Sequence, residues 1–98
     1  MRILVSKEAE DDIQNSIDWY KEQKLELGNN FFLNIIEAFK IIAEGPYLFP
    51  KVYKQTRKKL IKSFPYAVYY LVENKEIKVI AILHFKRNID KLYKRLEN

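Results

Sequence analysis

The chain has no cysteine. That excludes a disulfide scaffold and a thiolate metal site, and it is compatible with a reducing, cytoplasmic setting. It has a single histidine, which further argues against a metal site. No apolar run approaches the roughly 18 residues needed to cross a bilayer. The segment before Ser6 is too short to hold the apolar core of a secretion signal. We therefore expect a soluble cytoplasmic protein with no membrane contact. No internal repeat or low-complexity segment appears, and 98 residues point to one domain over 1–98.

What is present is a chain able to fold, in which apolar residues make up 48% and charged residues 32%. That many aromatic and β-branched side chains is not the composition of a disordered chain. The charge is unevenly spread. Residues 1–50 carry five basic and nine acidic side chains, whereas residues 51–98 carry thirteen and four. The second half is thus suited to an anionic partner, although a basic half can also be no more than a solvated face.

Ile3, Leu4 and Val5 suit a short strand. Ser6 is a good N-cap, and the acids Glu8, Glu10, Asp11 and Asp12 suit the positive end of a helix. Ala9, Ile13, Ile17 and Tyr20 recur at helical spacing, which predicts a first helix from about Lys7 to Glu26, ended by Gly28. Asn29 or Asn30 would cap a second helix with a wide apolar stripe over Phe32, Ile35, Ile36, Phe39, Ile42 and Ala43. Gly45-Pro46 stops it, with the glycine in a left-handed cap. So short a link predicts an antiparallel helical hairpin.

Tyr47 to Thr56 reads as a loop, and Arg57 to Ser63 as a basic strand interrupted by Phe64-Pro65. Tyr66 to Val72 carries a strong strand signal. Asn74-Lys75 can turn, because Asn tolerates positive φ. Ile77 to Phe85 suits a central strand buried on both faces. In the tail, Lys86 to Asn98, the spacing of Ile89, Leu92, Tyr93 and Leu96 predicts a short basic helix. The expectation is an α+β domain: an N-terminal strand, a two-helix hairpin, a three-stranded antiparallel sheet (β-α-α-β-β-β) and a C-terminal helix. The helices would pack on one face.

Several stretches, taken in order, resemble the RelE/ParE toxin superfamily, the plasmid-stabilisation toxins of type II toxin–antitoxin systems. They are Val5-Ser6-x-x-Ala9-x-x-Asp12-Ile13, then Pro46 and Phe49-Pro50, then Arg57 ahead of Phe64-Pro65-Tyr66-x-Val68-x-Tyr70. Val79 to His84 and the Lys86-Arg87 pair complete the series. The resemblance implies a growth-inhibiting toxin neutralised by a cognate antitoxin, in a heterotetramer or a larger complex. Some members cut mRNA in the ribosomal A site and others poison DNA gyrase. Members work without a metal or organic cofactor. The alternative is a harmless basic module that binds nucleic acid, or is merely structural, and shares the fold.

Cleavage of RNA by its 2′-hydroxyl needs activation of that hydroxyl, stabilisation of a negative phosphorane and a proton for the leaving oxygen. The ribonuclease branch supplies these with Lys, Arg and Tyr. By resemblance, Arg87 and Tyr93 match its catalytic arginine and tyrosine, and Lys58 matches a catalytic lysine, with Arg57 beside it. Lys59, Lys62, His84 and Lys86 are candidates for contacting the target. Two positions depart from that branch: Ala67 stands where it has another arginine, and Leu60 where it has a second lysine. Each candidate also has a plainer reading. Arg87 can pair with Asp12 or Glu8, Tyr93 can pack the tail onto the sheet, and His84 can be a packed strand residue. Trp19, off the main stripe of the first helix, can cover the sheet edge or meet a partner.

Overall fold

The computed structural model describes residues 1–97; Asn98, the end of the predicted tail helix, lies outside the described residues. Strand β1 (Arg2–Val5) leads into helix α1 (Lys7–Gln23). The Ser6 hydroxyl accepts the Ala9 N–H at 3.1 Å and caps that helix. Helix α2 (Leu25–Glu44) follows. Strands β2 (Lys51–Tyr53), β3 (Thr56–Leu60), β4 (Tyr66–Glu73) and β5 (Glu76–His84) come next, and helix α3 (Ile89–Glu97) ends the described chain.

The helical hairpin forms, but its joint is not at Gly28. The break is the single residue Lys24, extended at φ −162° and ψ 133°, which closes α1 and opens α2. Asn29 and Asn30 therefore lie inside α2 and cap nothing. Gly28 serves helix packing: a Cβ there would collide with the Lys21 side chain and press on the Ile17 carbonyl 3.1 Å away. Gly45 does end α2, at φ −144° rather than in the left-handed region. The positive φ values fall elsewhere, at Asn74 (53°) and Lys75 (62°) among others. Those two make the tight hairpin turn that joins β4 to β5.

The sheet has five strands, in the order β1-β5-β4-β3-β2, rather than three. Its β5 to β2 part is antiparallel and β1 joins parallel to β5, so the sheet is mixed. Two additions account for the difference. The residues read as a loop before Thr56 include the short strand β2, and β1 pairs with a strand more than 70 residues away, which no local pattern can reveal.

Helices also cover both faces rather than one. On the first face, Phe31, Ile35 and Ile42 of α2 and Ala9 and Ile17 of α1 pack on Val68, Tyr70, Val79 and Ile82. On the second, Leu92 of α3 packs on Ala67, Tyr69, Ala81 and Leu83. Strand β4 thus alternates apolar residues to two cores, and burying the second gives α3 its place. A one-residue irregularity between Tyr69 and Tyr70 lets Ala81 and Val79, two apart on β5, face adjacent β4 residues.

One ion pair joins the two layers of helix. Arg95 of α3 binds Asp12 of α1 through two bonds, Nη1 to Oδ2 at 2.6 Å and Nη2 to Oδ1 at 2.8 Å. Asp12 Oδ2 also accepts the Ile82 N–H at 3.0 Å, and Arg95 Nη1 donates to the Ile80 carbonyl at 3.2 Å. The plainer reading of Arg87, a pair with Asp12 or Glu8, is not met at Asp12: the helical tail brings Arg95 there instead. Asp12 is therefore more than compensation for a helix dipole.

Three outcomes follow. Asp12→Ala strands a partly buried guanidinium and an amide N–H, and should cost about 2–4 kcal/mol by denaturant titration. Lys7→Ala, which breaks an exposed pair with Asp11, should leave the midpoint unchanged. Gly28→Ala should lower stability in the same assay, although helix propensity alone would raise it.

Candidate functional site

Residues paired across antiparallel strands lie on the same face of a sheet. Arg57 pairs with Tyr70 and Lys59 with Val68, so both belong to the face covered by α1 and α2. Lys58 pairs with Tyr69 and belongs to the α3 face. The basic strand thus sends its cations to opposite sides.

On the α3 side, Lys58 and Tyr93 line one small cavity of about 70 Å³ together with Tyr53, Tyr69 and Phe85. The Lys58 ammonium is 5.1 Å from the Phe85 ring centre, and the Tyr53 and Tyr93 rings are 4.9 Å apart. The Tyr69 hydroxyl is buried with no hydrogen-bond partner among the described residues. Burial, and then the neighbouring Tyr93, push its pKa upward, so Tyr69 is a protonated donor facing this cavity.

Arg57 is engaged in structure. Its Nη1 donates to the carbonyls of Tyr47 at 3.2 Å and Phe49 at 2.6 Å, while the Tyr70 hydroxyl donates to Pro46 at 2.7 Å. Together they fasten the turn after α2 to the sheet. Lys59 donates to the Leu60 carbonyl at 2.8 Å. With Lys58 it flanks an apolar groove of about 440 Å³ formed by Phe49, Pro50, Val52 and Leu60. Lys62 is exposed in the turn after β3, and its carbonyl accepts from Asn34 at 2.9 Å.

Arg87 and His84 lie in a different place. They line a cavity of about 170 Å³ with Trp19, Tyr66 and Asn88. An adjoining one of about 180 Å³ shares Trp19, Tyr66 and Asn88 and adds Asn15 and Lys91. An aromatic cluster of Tyr20, Phe31, Phe64 and Tyr66 supports this wall, with ring centres 4.9 to 5.9 Å apart. It fixes the Phe64-Pro65-Tyr66 stretch and sets Tyr66 5.6 Å from His84. Among the described residues, no three His, Asp or Glu side chains converge as metal ligands would.

Residues 3–89 match the family model described as the ParE toxin of type II toxin–antitoxin systems, parDE. The chain belongs to the ParE toxin family. The RelE/ParE resemblance is thereby established, since the match covers most of the chain. No curated protein matches this ParE-family chain. Its fold is similar to a solved structure titled "Chromosomal ParDE TA system from P. aeruginosa", with a TM-score of 0.77 and 19% identity. That likeness covers 86% of this chain and 95% of the other. The family match ends where α3 begins, so Tyr93 and Arg95 lie beyond it. No helix among the described residues is long and apolar enough to cross a membrane.

Set on this ParE fold, the ribonuclease-like residues do not share one site. Lys58 and Tyr93 meet on the α3 side, while Arg87 joins His84 and Trp19 by α1. Ala67 is fully buried under α3 and Leu60 is half exposed at the groove. Tyr53 and Tyr69, which complete the Lys58 cavity, lie in stretches whose sequence predicts a loop and a strand; the Lys58–Tyr69 register links Tyr69 to that lysine, but nothing local links Tyr53.

His84 is nearly buried at the end of β5. Its Nδ1 accepts the Lys86 N–H at 3.1 Å, so in the neutral ring the proton is on Nε2. Its pKa is held below the usual 6.5, first by burial and then by Arg87 and Lys86. A lowered folded-state pKa means that the unfolded chain binds the extra proton first. Stability from this residue is full above about pH 6.5 and is lost as pH falls through the folded value. Unfolding free energies measured from about pH 8 down to about pH 5 should fall more steeply for the native chain than for His84→Gln; identical slopes would contradict the assignment.

Proposed function

We propose that this chain is the toxin of a type II toxin–antitoxin pair, that it arrests growth by binding DNA gyrase rather than by cutting RNA, and that a protein antitoxin neutralises it. The observation that carries the reading is the separation of the cations. Phosphoryl cleavage needs its charges and its proton donor around one phosphate. Here Lys58 and Tyr93 line a cavity by α3, whereas Arg87 lines another by α1. Arg57 is spent on backbone carbonyls, and Ala67 supplies no charge. A toxin that acts by binding needs no such convergence. Membership of the ParE family supports the same side of the choice.

One observation favours the second reading, ribosome-dependent mRNA cleavage: Lys58 and Tyr93 do line one cavity, and a phenol beside a cation can give or take a proton. Neither reading is that of a harmless basic module. The antitoxin reading is supported by the ParDE toxin–antitoxin system to which the fold is similar. The groove between Lys58 and Lys59, rimmed by exposed Val52 and Leu60, suits an acidic and apolar antitoxin segment. The same reading has toxin and antitoxin assemble as a heterotetramer or a larger complex, as the superfamily resemblance implies.

A gyrase supercoiling assay separates the readings. Added chain should inhibit supercoiling at stoichiometric amounts, and programmed ribosomes should show no new A-site mRNA cuts. Unaffected gyrase at large excess of chain, together with cuts abolished by Tyr93→Phe, would establish the second reading instead.

A further inference from the structure

The cleft lined by Trp19 enters the reading above only as the place that holds Arg87 apart from Lys58 and Tyr93. It lies between α1 and α3 at the end of β5, beyond the point where β1 stops pairing. Its aromatic wall is Trp19, 49% exposed and off the first helix's apolar stripe, together with Tyr66. A large indole kept half in water beside a cavity is a surface for another planar group. The polar groups around it are mostly donors. His84 offers Nε2–H, because Nδ1 is taken by the Lys86 amide. Arg87 and Lys91 line the two adjoining cavities, and among the described residues neither has a carboxylate at ion-pair distance. The carboxylate in the cleft, Asp12, is neutralised by Arg95. Asn15 and Asn88 add two side-chain amides, each both donor and acceptor.

A ligand that fits has a flat apolar face, edges that both donate and accept, and negative charge at one end. We propose that this cleft binds one nucleotide of a single-stranded nucleic acid, its base against Trp19 and its phosphate between Arg87 and Lys91. The amides of Asn15 and Asn88 meet the base edge, and His84 donates to a base or sugar acceptor. A duplex does not fit this demand, because its bases are stacked on one another and cannot present a face to the indole. The inference is independent of the gyrase reading.

Trp19 is the chain's one tryptophan, so its fluorescence reports on this cleft alone. The full chain should be titrated with a thymidine oligonucleotide about ten residues long, with a duplex of the same length and with poly-glutamate. Saturable quenching by the single strand, weaker with duplex and absent with poly-glutamate, is expected. By anisotropy of a labelled oligonucleotide, Trp19→Ala should bind about tenfold more weakly. Arg87→Ala should reduce the slope of log affinity against log salt by about 0.7. Lys40→Ala, which removes an equal charge from the outer face of α2, should change neither. Circular dichroism confirms that each variant is folded. Quenching by poly-glutamate alone would assign the cleft to a protein partner, and no quenching, or equal weakening by Lys40→Ala, would also overturn the proposal. Oligonucleotide binding by a chain that leaves gyrase unaffected would keep this inference and remove the gyrase reading; gyrase inhibition without such binding would do the reverse.

Discussion

Strand β5 is paired by β1 only as far as Val79, and past that point a carboxylate does the work of a strand. Asp12 reaches from α1 to the Ile82 amide, and Arg95 reaches from α3 to the Ile80 carbonyl and to Asp12 itself. An open edge would expose unpaired backbone groups and invite pairing with another chain. Here two side chains close it and at the same time tie a helix on each face of the sheet to the same strand. Removing two charges from water costs several kcal/mol, and the bidentate geometry with two backbone bonds is what offsets it. The Arg95 pKa is raised chiefly by its bond to Asp12, so the guanidinium stays charged throughout the stable range.

The clasp also decides where the cations can act. Because α3 is held against the second face, Tyr93 is brought to Lys58 and Tyr53, and Arg87 is left in the link between β5 and α3, turned toward Trp19. The two groups line different cavities. The basic second half, suited by its charge to an anionic partner, is therefore divided among a small cavity by α3, a cleft between α1 and α3 and a groove beside β2.

Local pattern carried a good part of this fold. Ser6 with its acids, the stripe through Ile35 and Ile42, and the Asn74-Lys75 turn each depend on neighbours a few residues away, and each forms as expected. Gly28 misled because glycine has two uses: it ends helices, and it lets two helices approach closely. Only the presence of Ile17 and Lys21 across the hairpin shows which applies. The parallel pairing of β1 and the placing of α3 depend on contacts between distant segments, so the mixed five-stranded sheet was not legible. The candidate site was partly so. Lys58 and Tyr93 do line one cavity, but strand alternation alone did not reveal that Arg57 binds carbonyls of the preceding turn. Asp12 was visible as an acid in a helical first turn and not as the partner of Arg95, 83 residues away.

The amide of Ile82 offers the most direct test of the clasp. Hydrogen exchange should show it protected like Leu83, its neighbour in the same strand. In Arg95→Ala, with Asp12 released, its exchange should rise more than tenfold while the amides of Val68 and Val79, held in the β3–β4 and β1–β5 pairings, change far less. An Ile82 amide that exchanges at the rate of an open edge in the intact chain, or that ignores the loss of Arg95, would contradict the account.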